Sequence, residues 1–319
     1  MLHWFCKIRG LNIVDALSHL LDDVHFRGAE YVYLNGLQHW AFTSAKQTIF
    51  YIILTGEVGL DISQEQRTLS AGHIIFVPYG AKHRFYDASS SSINEPLELN
   101  SEFRGARYDS VTLGQGNSQV LMLAVRCLLD SEMAKPLLSS LPDYILIEDG
   151  LNGEGPAWLK IGLDFLALES ERIRVGRDTL INRLISMFFI ECVRDYVEQL
   201  PSQSDTWLHA VRDPYLAPVL SAIHANPAQG WTVADLANLA CLSRSSFAER
   251  FGNVLGQSPL AYLTEYRLRQ AARYLTLGDM SINRVSERVG YNSETAFSQA
   301  FKRQYGVSPS QYRKERLVM

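Results

Sequence analysis

This 319-residue chain contains a repeat whose two copies lie fifty residues apart. Within the twenty positions from 243 to 262, seven residues have an identical partner at that offset. The pairs are Ser243 and Ser293, Phe247 and Phe297, Phe251 and Phe301, Gly256 and Gly306, Ser258 and Ser308, Pro259 and Pro309, and Tyr262 and Tyr312. A repeat of this length is usually one supersecondary unit that is built twice. Any fold for this chain must therefore accommodate two copies of one small unit.

The residue types in each copy predict a helix, a tight break and a second helix. Phe247 and Phe251 are spaced i, i+4, so they share one face of a helix. Ser243 precedes them, where its hydroxyl can cap the first free backbone N–H groups. Gly256 then acts as a stop signal, and Pro259 suits the first position of the next helix. The matching residues of the second copy predict the same arrangement.

A shorter helix is predicted before each copy. Residues 232–240 begin with Thr232 and Asp235 in the spacing of a capping box, and residues 281–289 end at Gly290, a small residue that permits close helix packing. A short helix, a brief turn and a second helix form the helix-turn-helix, whose second helix enters the DNA major groove. The alternative is an all-helical repeat that binds protein, although such arrays usually need three or more repeats.

One continuous helix is predicted between the two motifs, from Pro259 to about Leu277. Its apolar stripe comprises Leu260, Leu263, Tyr266, Leu268, Ala271, Ala272 and Leu275. About eighteen residues at the helical rise span about 27 Å, close to the ~34 Å between successive major-groove faces on one side of B-DNA. A rigid connection of this length would let both reading helices contact adjacent grooves.

From about 213 to 316 the chain closely resembles the DNA-binding domain of the AraC/XylS family of transcription regulators. The strongest stretch, residues 289–313, contains Gly-Tyr, a helix with two Phe, Phe-Lys-Arg, Gly-Val-Ser-Pro and Tyr-Arg. The family usually has Arg two positions after the first Phe of each reading helix, whereas this chain has Glu249 and Gln299. An acidic Glu249 would weaken attraction to phosphate and could accept from cytosine instead. The resemblance implies double-stranded DNA as a partner.

The resemblance places base-reading residues near the front of the second helix of each motif. They are Arg244, Ser245, Glu249 and Arg250 in the first motif, and Glu294, Thr295, Ser298 and Gln299 in the second. Arg250 is expected to take over the basic role that Glu249 does not fill. Lys302 and Arg303 follow one turn later and are better placed for phosphates. For Ser245, Thr295 and Ser298 the alternative is an ordinary solvated helix surface.

Charge is distributed unevenly along the chain. Residues 213–319 hold twelve Lys and Arg against eight Asp and Glu, whereas the whole chain holds 30 against 34. The C-terminal segment is thus mildly basic and the rest is acidic, which suits a DNA-binding module joined to a sensor. Because so small an excess adds little nonspecific affinity, dimerisation or specific contacts should matter.

Short β-rich runs and glycine-marked turns fill the segment from about 30 to 87. The runs are Tyr31–Leu34, Trp40–Phe42, Ile49–Leu54, Leu60–Ile62, Thr68–Leu69, Ile74–Val77 and His83–Tyr86. Strands this close together predict an antiparallel barrel or jelly roll, to which residues 120–125 and 145–147 add later strands. Residues 97–118 have no strong periodicity and are left unassigned.

The barrel segment also resembles the second sequence motif of cupins. That motif is found at Gly72, Pro78, Gly80 and His83. In metal-binding cupins this His is one ligand, and the others are an upstream pair of His and a Glu. Here Ile49 stands in place of the Glu, and residues 43–45 contain no His. Because an apolar Ile cannot bind a metal and one His is not a site, we expect a barrel with no metal, no cofactor and no catalytic residues.

Helices follow the barrel, at residues 158–171 and 178–200. The apolar stripe of the second is wide enough to bury a face within the chain and another against a second subunit, and related regulators form a homodimer through this region. The predicted fold class is α+β and multidomain: an N-terminal cupin-like β-barrel (jelly roll) followed by helices, then an all-α domain with two helix-turn-helix motifs joined by a linker helix. The predicted domains are 1–200 for sensing and dimerisation, 201–212 as a linker and 213–319 for DNA binding.

These features favour a cytoplasmic, sequence-specific transcription regulator, an activator on family grounds, that works with RNA polymerase and responds to an unknown small-molecule or redox signal. The start of the chain lacks the pattern of a signal peptide, and no run approaches eighteen apolar residues, so no membrane partner is expected. The alternatives are a cupin-type metalloenzyme, or a ligand-binding protein, with an appended helical DNA-binding module.

Redox sensing would depend on four scattered cysteines without CxxC spacing, a usage that suits a reducing compartment. Cys6 lies near the terminus, and Cys127 follows Arg126, which favours a thiolate. Cys192 and Cys241 are instead expected to serve packing.

Overall fold

The computed structural model describes residues 16–89, 95–103, 110–148, 157–171, 175–200 and 207–317. They form two compact units. The barrel unit comprises Phe26–Leu129 and Leu141–Gln199, and the helical unit comprises the other described residues, including 16–25 and 130–140. Cys6 and residues 201–206 of the predicted linker lie outside the described ranges. The domain boundaries at 200 and 213 remain a prediction.

The barrel unit is built from two sheets. Its strands are β1 (Gly28–Gln38), β2 (Ala41–Ser44), β3 (Ile49–Thr55), β4 (Glu57–Ile62), β5 (Glu65–Ser70), β6 (Ile74–Val77), β7 (His83–Asp87), β8 (Leu97–Glu98), β9 (Ser110–Leu113), β10 (Gln115–Leu128) and β11 (Ile145–Ile147). One sheet has the order β11-β6-β3-β10-β1-β9 and the other β5-β4-β7-β2-β8. The predicted sheet-rich N-terminal domain is thereby confirmed.

Most neighbouring strands pair antiparallel, although of the described strands only β4 and β5 are also consecutive along the chain. The exceptions are the pairs β1 with β9 and β2 with β8, which are parallel. Both β8 and β9 fall in the segment that the sequence left unassigned. A parallel neighbour is reached only through a longer connection, so no local turn signal marks it.

Aromatic side chains fill the space between the two sheets. Trp40, Phe42, Tyr51 and Phe85 are each at most 2% exposed. The ring of Phe42 stacks on that of Phe85 with centroids 5.1 Å apart. The ring of Trp40 also stacks on that of Phe42, with centroids 6.0 Å apart. Because aromatic side chains bury more apolar area than most others, this cluster forms much of the barrel core.

Eleven α-helices lie within the described residues. They are α1 (Ala16–Asp23), α2 (Ser131–Leu138), α3 (Ala157–Glu171), α4 (Arg177–Gln199), α5 (Ala217–Ala225), α6 (Val233–Leu239), α7 (Arg244–Leu255), α8 (Pro259–Leu277), α9 (Ile282–Arg288), α10 (Glu294–Tyr305) and α11 (Pro309–Leu317). Helices α3 and α4 belong to the barrel unit, and the others belong to the helical unit. None of these helices combines the length and apolar character that crossing a bilayer requires.

The predicted pairs of helices are confirmed as α6 with α7 and α9 with α10, joined by α8. The capping box is confirmed as well, since the Thr232 hydroxyl accepts from the Asp235 backbone N–H at 3.2 Å and the Asp235 carboxylate accepts from the Thr232 N–H at 3.0 Å. One member of the predicted α8 stripe is wrong, because Leu260 is 42% exposed. The buried face runs through Pro259, Tyr262 and residues 263 and 266, and Leu260 falls outside that spacing.

Candidate DNA-reading surface

Helices α7 and α10 begin and end in the same way. The hydroxyls of Ser243 and Ser293 each accept from the backbone N–H three residues later, at 3.2 and 3.3 Å. Gly256 and Gly306 end the helices in the left-handed conformation, with φ of +70° and +78°. Such caps satisfy backbone groups that the helix itself leaves free, which is why local sequence could place both helices.

The repeat extends to the packing of aromatic rings behind each reading helix. In the first motif, Phe251 lies 5.6 Å from the Phe247 ring centroid and meets the Tyr262 ring edge-on at 5.8 Å. In the second, Phe301 lies 5.6 Å from Phe297 and meets Tyr312 edge-on at 5.3 Å. These four Phe rings are fully buried. The inner face of each reading helix is therefore anchored by an equivalent set of two Phe rings and one Tyr ring, to which the second motif adds Tyr291 and Tyr305. The opposite face of each helix is left outward.

The front of α7 exposes most of the residues predicted to read DNA. Arg244, Ser245 and Glu249 are exposed, and Arg250 is half-buried. The Arg250 guanidinium binds Asp213 at 2.5 Å and lies over the ring of Tyr215, 4.7 Å from its centroid. This hydrogen bond raises the pKa of Arg250. The first motif thus presents Arg244 as its outward cation. The charge of Arg250 is instead paired with that of Asp213, a contact that the sequence did not predict.

Helix α10 gathers its predicted residues around one shallow groove. Glu294, Thr295, Ser298, Gln299 and Lys302 line it together with Ser308, and its volume is about 350 Å³. Thr295, Gln299 and Lys302 are exposed, and so is Arg303. The acidic Glu294 and three neutral hydrogen-bonding side chains stand at the front, followed by the two cations Lys302 and Arg303. That order matches side chains that read base edges followed by side chains that hold phosphates.

Arg267 joins the first motif to the linker helix α8. Its Nε donates to the carbonyl of Pro227 and its Nη2 to the carbonyl of Gln229, both at 2.7 Å. Burial lowers the pKa of this guanidinium. Two bonds from one planar group fix both position and orientation, so the turn that enters α6 is tied to α8. No local pattern indicates this contact, because about forty residues separate its partners.

Gly290 completes the same junction from the second motif. Its φ is +87°, and a Cβ there would lie 2.7 Å from both the Cα and the carbonyl oxygen of Ala228 and 2.9 Å from Arg267 Nη2. The prediction that Gly290 allows close packing is confirmed, because a Cβ at this position would overlap the backbone of Ala228. Its close neighbour, however, is the entry turn of the first motif rather than a helix of its own motif.

The barrel residues do not fit a metal ion. His83 is buried, its Nδ1 donates to the carbonyl of Ala81, and its Nε2 accepts from the Tyr51 hydroxyl, each at 2.7 Å. Burial lowers the pKa of His83, which favours the neutral ring that these bonds require. Ile49, at the place of the cupin Glu, is a fully buried core residue. Within the described ranges, no three His, Cys, Asp or Glu side chains are grouped to hold a metal.

The cysteine interpretation needs two corrections. The sequence predicts a packing role for Cys241, but this residue is exposed in the turn between α6 and α7. Cys127 is buried, and burial raises the pKa of its thiol, so the neighbouring Arg126 does not produce a thiolate. Arg126 instead forms an ion pair with Glu30. Cys192 is also buried with a raised pKa, which agrees with a packing role. Cys6 lies outside the described residues.

Two matched helix-turn-helix motifs with outward reading helices, in a chain that also carries a cupin-type barrel, define a DNA-binding transcription regulator. Comparisons with known proteins agree with this class. The family model described as "Cupin" matches residues 15–198, and the model described as "Helix-turn-helix domain" matches residues 236–315. The first of these covers more than half of the chain.

Three relatives show the extent of the similarity. The HTH-type transcriptional regulator AlkR of Acinetobacter baylyi is 40% identical over 306 residues, which cover 95% of this chain and 100% of that protein. The RCS-specific HTH-type transcriptional activator RclR of Escherichia coli is 34% identical over 180 residues, 56% of this chain and 63% of that protein. The DNA-binding domain of AdpA, crystallised with a target DNA, is 36% identical, covers 32% of this chain and 92% of that chain, and superposes with a TM-score of 0.31. The chain belongs to the AraC/XylS family of transcription regulators that carry an N-terminal cupin domain.

Proposed function

We propose that the exposed fronts of α7 and α10 read two neighbouring stretches of one operator. The α10 groove carries this proposal, because five of its six lining residues are those predicted to contact DNA. Thr295 and Gln299 would contact base edges, Lys302 and Arg303 would contact phosphates, and Arg244, Ser245 and Glu249 would serve the first motif. Arg250 stays among the proposed contacts, although its bond to Asp213 must be shared or broken for it to reach DNA.

Thr295→Ala and Gln299→Ala are each expected to weaken binding to the preferred operator by about 1–3 kcal/mol, because each removes hydrogen bonds to one base pair. Random duplexes should bind with unchanged affinity. Lys302→Ala should instead weaken all duplexes alike and reduce the slope of log affinity against log salt by about one. The measurement is a set of salt-dependent titrations against an operator selected from a random duplex library.

Lys314→Ala is the matched control for Lys302→Ala, since Lys314 is an exposed cation on α11 outside the groove. It should leave both operator affinity and salt slope unchanged. If all three groove variants lose the same factor on selected and random duplexes, the assignment of base readers is wrong.

Helices α3 and α4 support a second proposal, a homodimer. Most of the α4 stripe is buried within the barrel unit, including Ile185 and Phe188. A separate apolar set remains outward, with Ile161 at 67% and Phe165 at 37% exposure on α3, and Leu180 at 45% and Met187 at 39% on α4. Ile161 and Phe165 lie four residues apart on one face of α3, and exposed apolar side chains that lie together mark protein interfaces more often than isolated ones do. We place the dimer contact on this outward set.

Ile161→Glu is expected to raise the dimer dissociation constant by about 100-fold or more, because it would bury an unpaired charge in the interface. Analytical ultracentrifugation over a concentration series measures this constant. Leu260→Glu is the matched control, since Leu260 is an exposed apolar residue on α8. A wild-type chain that sediments as a monomer would contradict the homodimer, and equal effects of the two variants would place its contact elsewhere.

The protein is further proposed to activate transcription in the cytoplasm, together with RNA polymerase and in response to a small-molecule signal, without enzymatic activity of its own. One relative is named a transcriptional activator, which supports the sign of regulation. The cytoplasm is proposed because a chromosomal operator is reached there. Transcription in vitro from a promoter carrying the selected operator measures the sign directly, and less transcript with the protein present would indicate a repressor.

A further inference from the structure

The helical unit contains a pocket of about 580 Å³. Helices α1, α2 and α8 bound it, and all of its lining residues belong to this one unit. Gln257, just after α7, and Tyr305, at the end of α10, both line it. Pockets of about 300–1,000 Å³ are typical of small-molecule sites. A molecule bound here would contact the trailing end of both reading helices.

The wall formed by α1 and α5 is a hydrogen-bonded network around one carboxylate. His224 Nδ1 donates to Asp23 at 2.5 Å, and the hydroxyl of Tyr266 donates to the same carboxylate at 2.7 Å. His224 Nε2 accepts from the Tyr262 hydroxyl at 2.7 Å. Burial lowers the pKa of His224, so the neutral ring that this arrangement needs is favoured. The polar groups of this wall are therefore engaged with each other.

The part of the lining that α8 contributes beside this network contains a paired carboxylate and a guanidinium with few hydrogen bonds. Glu265 accepts from Arg269 Nη1 at 2.7 Å and from Gln257 Nε2 at 3.3 Å. A guanidinium has five N–H donors, and this is the one hydrogen bond that Arg269 makes to a described residue. Its side chain is only 14% exposed. Because largely buried donors usually find acceptors, Arg269 is suited to donate to an oxygen atom of a ligand.

The remaining lining includes two half-buried aromatic rings. Trp207 and Tyr305 offer apolar surface to a planar ring system, whereas Tyr262 and Tyr266 are only 6% and 1% exposed. The Glu265 carboxylate is already paired with Arg269, and the cation Lys135 is solvent-exposed, where an ion pair contributes little. An anionic ligand would lose its hydration beside three lining carboxylates, Asp23, Glu132 and Glu265, without gaining an unpaired buried cation. A cationic group would lie near the Arg269 guanidinium, and the Asp23 carboxylate is already engaged by His224 and Tyr266. These conditions favour a neutral ligand.

We propose that this pocket binds a neutral, planar aromatic molecule that presents a carbonyl oxygen to Arg269. The site is separate from the barrel, whose interior is packed with Trp40, Phe42 and Phe85. Because the bound molecule contacts the ends of both reading helices, its binding is coupled to DNA binding, and the coupling must be reciprocal. That coupling rests on the proposed DNA-reading function, whereas binding itself does not.

The test uses the full chain without DNA and two probes, 9-fluorenone and fluorene, which differ in the carbonyl oxygen. Titration calorimetry should show one saturable site for 9-fluorenone. The dissociation constant of fluorene should be higher by about tenfold or more, because one hydrogen bond to a charged donor is lost. Arg269→Met should reduce 9-fluorenone binding to the fluorene level and leave fluorene binding unchanged. Ser139→Tyr, which narrows the pocket from an exposed position, should weaken both probes.

Arg273→Met is the matched control, since Arg273 lies one turn further along α8 and does not line the pocket. It should bind both probes as the wild type does. Equal affinity for the two probes, the same loss in Arg273→Met, or no saturable binding would overturn the proposal. Tighter binding of 9-fluorenone-4-carboxylate than of 9-fluorenone would overturn the neutral class. A change in DNA affinity on adding 9-fluorenone then tests the coupling separately.

Discussion

Gly290→Val is expected to destabilise the helical unit by about 3–5 kcal/mol, the combined cost of left-handed backbone for a branched residue and of overlap with a neighbour. The φ of +87° is available to glycine at little cost, whereas a Cβ at this position would lie 2.7 Å from the backbone of Ala228. Backbone atoms cannot turn aside as a flexible side chain does. Urea denaturation of the full chain, followed by a probe in the helical unit, measures the loss. Operator binding should fall with it.

A pair of alanine variants separates backbone strain from steric overlap. Gly256 has a similar φ of +70°, but a Cβ there would meet no atom within 4 Å. Gly256→Ala should therefore cost about 1–2 kcal/mol through backbone conformation alone. Gly290→Ala should cost more, by about 1–3 kcal/mol, because its Cβ also overlaps the turn at Ala228. Equal losses for the two variants would show that the close approach at Gly290 contributes nothing.

Phe251→Ala and Phe301→Ala are each expected to cost about 3–5 kcal/mol, the range for removing a fully buried Phe from a core. Both rings are fully buried and sit between a Phe four residues earlier and a Tyr eleven residues later. Because the repeat places both rings between equivalent Phe and Tyr partners, the two losses should fall in the same range, although Phe301 also stacks on Tyr305 at 4.5 Å. Leu260→Ala is the control, since Leu260 is 42% exposed and its truncation should change stability by less than about 0.5 kcal/mol.

The two variants should differ in what they do to DNA contacts. Footprinting on the selected operator should show protection lost first from the stretch read by α7 in Phe251→Ala, and from the stretch read by α10 in Phe301→Ala. If both variants lose the same stretch, or if either is as stable as wild type, then the two motifs are not equivalent readers built on matched cores.

Local features were predicted well because their causes lie within a few residues. The Thr232 capping box, the Ser243 and Ser293 caps and the Gly256 stop depend on bonds between near neighbours, so the spacing of residue types was sufficient. The α8 stripe failed only at Leu260, which follows Pro259 directly and so cannot share its face.

Contacts between distant residues could not be predicted from the sequence. Arg267 binds carbonyls about forty residues away, and Arg250 meets Asp213 across 37 positions. Neither contact produces a pattern in the sequence, because the residues next to each arginine do not indicate a partner about forty positions away. Helices α1 and α2 were missed for a related reason. Each has eight residues, too few for periodicity to stand out, and they are grouped with a unit whose other residues lie far along the chain.

The junction of Arg267 and Gly290 has a consequence for the DNA rather than for the protein. Because the entry turn of the first motif is held against α8 and against the turn between α9 and α10, the two reading helices keep one separation and one relative rotation. Five extra base pairs between the two recognised stretches would turn the second by about half of the 10–10.5 base-pair helical repeat, onto the far side of the duplex. A single chain would then engage one stretch and leave the other unread, so the promoters it controls must share one invariant spacing.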